Sequence, residues 1–180
     1  MKSAFFFTLL LLSVVGCNGP AHPDKNGSEF LSSKGYSTEL INRLKNNEPI
    51  TDKEISSLLK HEHKDVTFLI GRNSNIPIPI QNQISNHSND YVRSSVAYNI
   101  KITTENIEKL FHDPSHTVYC NLARNPTISH DVLIKLRKQR NLNLMWFAMN
   151  PNCPPSLVAE IENSNDERAK DYLSRTQNRN

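Results

Sequence analysis

Seven histidines in 180 residues are a high count of a group that can both ligate metal and carry protons. His61, His87 and His112 recur at spacings of 26 and 25, and the segments His61-Glu62-His63 and His112-Asp113-Pro114-Ser115-His116 set carboxylates and further imidazoles beside two of them. Imidazole with carboxylate is a zinc donor set, and imidazole is also the group that titrates near neutral pH. The recurrence itself argues against a shared metal. Groups one structural repeat apart stand about 10 Å from each other when helices pack, whereas zinc takes nitrogen ligands at about 2.1 Å. One loop would have to supply most of the ligation, so the histidines are expected to line a solvated loop edge, with no metal and no cofactor.

Of the three cysteines, Cys17 has a setting of its own. Met1-Lys2-Ser3 carries one positive charge, and Ala4 to Val15 (AFFFTLLLLSVV) is a run of about twelve mostly apolar residues. That is the length of a signal-peptide apolar region and falls short of the roughly 20 residues a spanning helix needs. Ser13-Val14-Val15-Gly16-Cys17 then places a small residue directly before the cysteine. The segment resembles the lipobox of bacterial lipoproteins, with Val14 where that family more often has Leu. The resemblance implies that residues 1–16 are a signal peptide, that the Cys17 thiol is alkylated with a diacylglycerol, and that its freed amine is acylated. The mature protein would be tethered to the membrane and not span it, since two or more acyl chains at about 0.8 kcal/mol per buried CH2 make a stable anchor. Asn18, in place of the Asp associated with inner-membrane retention, favours the outer membrane, facing the periplasm. Residues 17–35 combine this cysteine with Gly, Pro, Ser, Asn and charge (NGPAHPDKNGSEFLSSK) and are expected to be a flexible tether. Residues 36–180 are expected to form the folded domain.

What must position the remaining side chains is an internal repeat. Asparagine recurs at Asn47, Asn73, Asn99, Asn125 and Asn150, at spacings of 26, 26, 26 and 25. Neighbouring columns keep the same phase. Three residues after each Asn stand Ile50, Ile76, Ile102, Ile128 and Cys153; eleven after stand Leu58, Ile84, Leu110, Leu136 and Ile161. Seven and three before it stand Leu40 and Leu44, Val66 and Ile70, Val92 and Val96, Val118 and Leu122. The pairs at i and i+4 put one apolar stripe on a helix before the Asn, and a second stripe follows it. Each unit is therefore a pair of short antiparallel helices, the first short enough to be partly 3₁₀. The Asn is expected to close the first helix in a left-handed conformation, with Pro49, Pro126 and Pro151 preventing its continuation. Thr51-Asp52-Lys53-Glu54 has the form of a capping box for the second helix.

The phase assigns places to the other reactive side chains. Cys120 and Cys153 would pair in an oxidising compartment if geometry allowed, but they occupy different columns, which favours two buried thiols over a bridge. The basic cluster Lys135, Arg137, Lys138 and Arg140 could meet head groups or an acidic partner, yet Lys135 and Arg137 stand ten and twelve residues after their Asn, as Glu160 and Glu162 do after theirs. Cross-unit ion pairs are the expected use. Tyr91, Tyr98, Tyr119 and Trp146, with Arg72, Arg93 and Arg124, belong to or flank the first helices. Arg72, Tyr98, Arg124 and Met149 each precede the Asn directly and form one column, on the order of 30 to 40 Å long at the spacing of packed helices. These are residue types enriched at protein interfaces, so the column is the candidate partner-binding stripe, with ordinary packing over the repeat edge as the alternative.

Val92-Arg93-Ser94-Ser95-Val96-Ala97-Tyr98-Asn99 and Val118-Tyr119-Cys120-Asn121-Leu122-Ala123-Arg124-Asn125-Pro126 resemble the V-R-x-x-V-A-x-N-P core of the leucine-rich repeat variant family. The resemblance covers roughly residues 36–175 and is looser in the first two units, where the Arg is missing and Lys45 or Gly71 replaces Ala. It implies an all-α, right-handed α-solenoid of about five stacked helix pairs, and it implies no catalytic residues.

Composition agrees with a binding role. The chain is 37% apolar and 22% charged, and its 21 basic and 18 acidic residues leave a formal +3, about +2 without Lys2, too weak a field to imply nucleic acid. No Ser-His-Asp order, phosphate-cradling glycine loop or acidic pair with helix spacing occurs, and there are only five glycines. The expectation is a lipid-anchored, periplasmic, non-enzymatic interaction module with a protein partner. An immunity or inhibitor protein against a toxin acting in the periplasm is the alternative, and an enzyme the least supported one.

Overall fold

Where the repeat columns fall, the chain is helical and buried. The computed structural model describes residues 23–178, and among them are twelve α-helices and no strand. Residues 1–22, with the leader and Cys17, lie outside the described residues. The first helices of the units are α2 (Thr38–Lys45), α4 (Lys64–Arg72), α6 (Asp90–Ala97), α8 (His116–Arg124), α10 (Leu144–Ala148) and α12 (Glu167–Gln177). The second helices are α3 (Asp52–Leu59), α5 (Ile78–Ser85), α7 (Thr104–Phe111), α9 (His130–Arg140) and α11 (Pro155–Glu162). The first helices stack in one row, α4 on α6, α6 on α8, α8 on α10 and α10 on α12. The second helices α5, α7 and α11 each sit against the first helices on either side, while α9 packs on α8. The core lies between the two layers. It is built from the columns three and seven before and eleven after the Asn, all of which are buried. This is an all-α repeat solenoid.

The second helices begin as their sequences require. Thr51 accepts from the Glu54 N–H while the Glu54 carboxylate accepts from the Thr51 N–H, completing the capping box. Thr103 caps α7 through the Asn106 N–H. Pro77 and Pro154 occupy the corresponding cap positions of α5 and α11, each with a further proline in the first turn, where no N–H is missed. The first helices are α-helical and not 3₁₀. In the fifth unit α10 has shrunk to 5 residues, while α9 before it runs to 11 and ends on Asn141 in the left-handed region, φ 47°. The one-residue deletion is absorbed there.

The repeated asparagine does a different job from the one expected. Asn47 is left-handed at φ 60°, but Asn73 and Asn125 are extended, with φ −70° and −74°, and Asn73, Asn99, Asn125 and Asn150 are buried. Their amides bond one unit to the next. Asn99 Nδ2 donates to the Gly71 and Asn73 carbonyls, both at 2.9 Å. Asn125 Nδ2 donates to Ala97 and Asn99 at 2.8 and 2.9 Å, and Asn150 Nδ2 to Ala123 and Asn125 at 2.8 and 3.0 Å. Each side-chain oxygen turns forward to accept the N–H two residues on, from Lys101, Thr127 and Asn152. A buried primary amide offers two donors and one acceptor oxygen, and this site uses all of them.

Two further expectations are corrected. Ile102 and Cys153 are only half-buried, unlike Ile50, Ile76 and Ile128 in the same column. Residues 23–33, assigned to the tether, form helix α1 (Pro23–Ser33), which packs on α4 at the head of the first-helix row. Leu31 is fully buried. At Gly27 a Cβ would stand 2.8 Å from Leu69 Cδ1 and 3.4 Å from the Asp65 carbonyl oxygen, so the two helices approach closely there. Gly35 ends α1 at φ 78°, with the Gly35 and Tyr36 N–H groups returning to the Ser32 and Leu31 carbonyls, both at 3.1 Å. That is a Schellman stop, which needs a residue free to take positive φ. The helix forms because Leu69 is an apolar residue outside the repeat columns and takes its cover from α1. At the other end α12 turns Glu167, Arg168, Asp171 and Arg175 outward, the polar outer face that a terminal repeat needs.

Candidate functional site

The column before the Asn forms one edge of the stack. Arg72 and Arg124 are the last residues of α4 and α8, and Tyr98 and Met149 are the C-caps of α6 and α10. All four are half-buried. The Arg124 guanidinium lies 5.7 Å from the centre of the Tyr98 ring and 5.9 Å from that of Trp146, within range of a cation–π attraction on both sides. Arg72 Nη2 donates to the Lys45 carbonyl at 3.3 Å, across to the previous unit. Two residues further along each turn a second column, Ile100, Pro126 and Pro151, is exposed. The two large apolar side chains most exposed among the described residues, Ile78 at 57% and Ile100 at 47%, both belong to this turn side of the stack. Trp146, a first-helix aromatic outside the stripe, stands four residues before Asn150 and yet reaches the previous unit's arginine.

The other aromatics and arginines named with the stripe are built into the packing. Tyr91 stacks on Phe68 at 4.5 Å. Tyr119 is buried beneath the Arg140 guanidinium at 4.4 Å, and burial raises its pKa. Arg93 holds Asp113 through Nε at 2.6 Å and Nη2 at 2.9 Å, and its Nη1 donates to the His87 and Ser88 carbonyls. This largely buried pair ties α6 to the loop before α8. Of the basic cluster only Arg137 makes a cross-unit ion pair, on a diagonal, bonding Glu160 through Nε at 2.9 Å and Nη2 at 2.6 Å. Arg140 Nη2 donates to the Phe111 carbonyl at 2.8 Å, while Lys135 and Lys138 are exposed.

The histidines do not share one solvated edge. Phe30 of α1 stacks on His63 at 4.0 Å, and the Tyr36 hydroxyl meets His61 Nε2 at 2.9 Å, so these two imidazoles belong to the seam with the N-terminal helix. His87 Nδ1 accepts the Asn89 N–H at 3.0 Å, and His130 Nε2 lies 3.1 Å from Asn152 Oδ1. Among the described residues, no group of three or more His, Cys, Asp or Glu side chains could hold a metal ion. Cys120 and Cys153 are thiols. Burial pushes the Cys153 thiol up to about 11, which keeps it protonated and unreactive at neutral pH. Cys120 is fully buried, with Sγ 3.3 Å from His116 Nδ1. The sequence signal for that thiol–imidazole contact is the i, i+4 spacing of His116 and Cys120 on α8, which lies within one unit and not in the repeat phase. Its burial closes the sulfur to a substrate in solution.

Comparison of the chain with known protein families, with curated proteins and with solved structures finds no match in any of the three.

Proposed function

We propose that this protein is a lipid-anchored protein-interaction module of the leucine-rich repeat variant type, held by acyl chains on Cys17 at the periplasmic side of the envelope, the outer membrane in particular. The observation that carries the binding role is the edge just described. Arg72, Tyr98, Arg124 and Met149 repeat at one position of successive units, half-exposed, beside the exposed apolar Ile78 and Ile100. A contiguous run of aromatic, arginine and aliphatic surface on a rigid scaffold is the composition of an interface centre. The anchor rests on the Ser13-Val14-Val15-Gly16-Cys17 segment. Helix α1 begins six residues after Cys17, and fully extended chain covers at most about 3.5 Å per residue. The start of α1 would therefore be held within about 20 Å of the bilayer surface.

Two measurements test the two halves of the reading. Wild-type chain should take up labelled palmitate and fractionate with membranes, whereas Cys17→Ser should be soluble or retain its leader; membrane fractionation of a processed Cys17→Ser chain refutes the anchor. A photo-crosslinking side chain at Ile100 should capture a discrete protein adduct in producing cells, and one at the exposed Ser56 of α3 should not. Equal patterns from both positions refute the interaction edge.

A further inference from the structure

We propose that Arg124, held between Tyr98 and Trp146, is a receptor for a carboxylate on an acidic, apolar-bearing segment of a protein partner. This rests on the reading of the edge as the interaction surface and specifies what binds there.

Six arginines are half-buried among the described residues: Arg43, Arg72, Arg93, Arg124, Arg137 and Arg140. Five of them donate to oxygen. Arg43 bonds Glu54 and the Pro49 carbonyl, Arg72 the Lys45 carbonyl, Arg93 Asp113, Arg137 Glu160, and Arg140 the Phe111 carbonyl. Arg124 is the exception. Among the described residues it meets ring faces only, those of Tyr98 and Trp146. Ring faces offer the guanidinium N–H groups no oxygen acceptor, so among the described residues these donors are left for another partner. Such a fork matches a carboxylate bidentately and is already oriented.

Charge around it has the complementary sign. No Asp or Glu occurs in residues 66–89, 91–104, 114–130 or 132–159, so the turns of units two to five carry Arg72, Lys101 and Arg124 without an intervening acid. The acids nearest these three cations along the chain, Asp65, Glu105 and Asp131, sit in the first turns of α4, α7 and α9, where they complement the helix N-termini. The same turns carry apolar surface, exposed at Ile100, Pro126 and Pro151 and half-buried at Met149. An acidic protein segment that also bears aromatic or aliphatic side chains satisfies both features. An anionic bilayer fits less well, since head-group recognition draws on clusters of about 4–8 cations and here the cations are three and interleaved with apolar residues.

The probe is a dye-labelled random Glu/Tyr copolymer, titrated at low ionic strength into the full chain in non-ionic detergent. Binding is followed by anisotropy and, with excitation beyond tyrosine absorption, by emission of Trp146, the only tryptophan. Wild type should bind this copolymer and not a Lys/Tyr copolymer, with a change in Trp146 emission. Arg124→Gln should weaken binding at least tenfold. Arg124→Lys, which keeps charge but loses the planar fork, should weaken it several-fold, and Lys138→Gln on α9 should leave it unchanged. The circular dichroism of each variant checks its folding, and Arg124→Lys keeps the test decisive if Arg124→Gln does not fold. Binding unaffected by either Arg124 variant, equal loss in Lys138→Gln, no binding by wild type, or tighter Arg124-dependent binding to phosphatidylglycerol vesicles would each overturn the proposal. The crosslink at Ile100 is independent of the probe: an adduct there without copolymer binding leaves the edge standing and removes only the acidic class of partner.

Discussion

Asn99 joins its unit to the one before, because its one buried amide bonds three backbone groups. Replacing it by Ala leaves the Gly71 and Asn73 carbonyls and the Lys101 N–H without those partners. Buried groups so orphaned cost about 1–3 kcal/mol each before relaxation, so Asn99→Ala should lower stability to urea by about 2–4 kcal/mol. Asn99→Asp should cost more, since it sets carboxylate oxygen against two carbonyl oxygens. Losses below about 1 kcal/mol would mean that these bonds are not what joins the units. Glu54 offers a second test at this scale. The Arg43 guanidinium and the Thr51 N–H lower its pKa from 4.5 to about 2. A depressed carboxylate stabilises fully above its unfolded pKa and loses that contribution as pH falls through the folded one. The stability gap between wild type and Glu54→Gln should therefore hold at pH 6 and shrink from about pH 4.5 down to 2. A gap that is constant with pH would remove the ionic origin. The asparagine column was visible as a letter in the sequence, but its use was not. A helix-terminal Asn has a sufficient local explanation, and a bond to a carbonyl 26 or 28 residues away exists only once the units are stacked.

Helix α1 and helix α4 show what pattern reasoning over elements captures and what it loses. The helices whose apolar residues recur at 26-residue intervals were all legible, since periodic burial is the property that periodic sequence encodes. Helix α1 has no copy to be compared with. Its apolar signal is Phe30-Leu31 within Asn, Gly, Ser and charge, and only the uncovered face of α4 requires it. Leu31→Ala should therefore cost about 2–4 kcal/mol, as a fully buried leucine does, and should accelerate proteolysis within residues 23–35. An unchanged stability would restore the tether reading. The loose match of the second unit also has a structural cause. At Gly71, where later units carry Ala, a Cβ would stand 1.9 Å from Ser95 Oγ and 3.0 Å from Ser95 Cβ. Gly71→Ala gains about 0.5–1 kcal/mol of helix preference but meets an overpacking cost of typically 1–3 kcal/mol, so net destabilisation is expected. Adding Ser95→Ala, which removes the nearer atom, should recover part of it; no recovery would place the strain elsewhere.

At the scale of the whole molecule, stability is a chain of neighbour contacts, and the candidate edge depends on it. Tyr98, Arg124 and Trp146 belong to three successive units, and they meet because each unit is bonded to the last at a fixed register by its asparagine. The stripe was legible as a column for that reason, while the position of Arg124 over two rings was not, since it depends on which side chains span the gap between units. A quasi-one-dimensional array fails from an interior break outward. Leu110 lies fully buried in the middle of the array, and its neighbour Lys109 is exposed. Leu110→Asp brings an unpaired charge into a column shared with the units on either side, a cost of several kcal/mol. Each kcal/mol lowers the melting temperature of a domain this size by roughly 2–4 °C, so a fall on the order of 10 °C is expected for Leu110→Asp against a degree or two for Lys109→Asp. The same Leu110→Asp substitution should shift Trp146 emission to the red at temperatures where α-helical circular dichroism is still largely retained, because the register between the units beneath Arg124 is lost before the helices are. Equal melting temperatures for the two variants would dissolve the repeat register itself, and an unchanged Trp146 emission would mean that the edge is assembled by its own contacts and not by the stack.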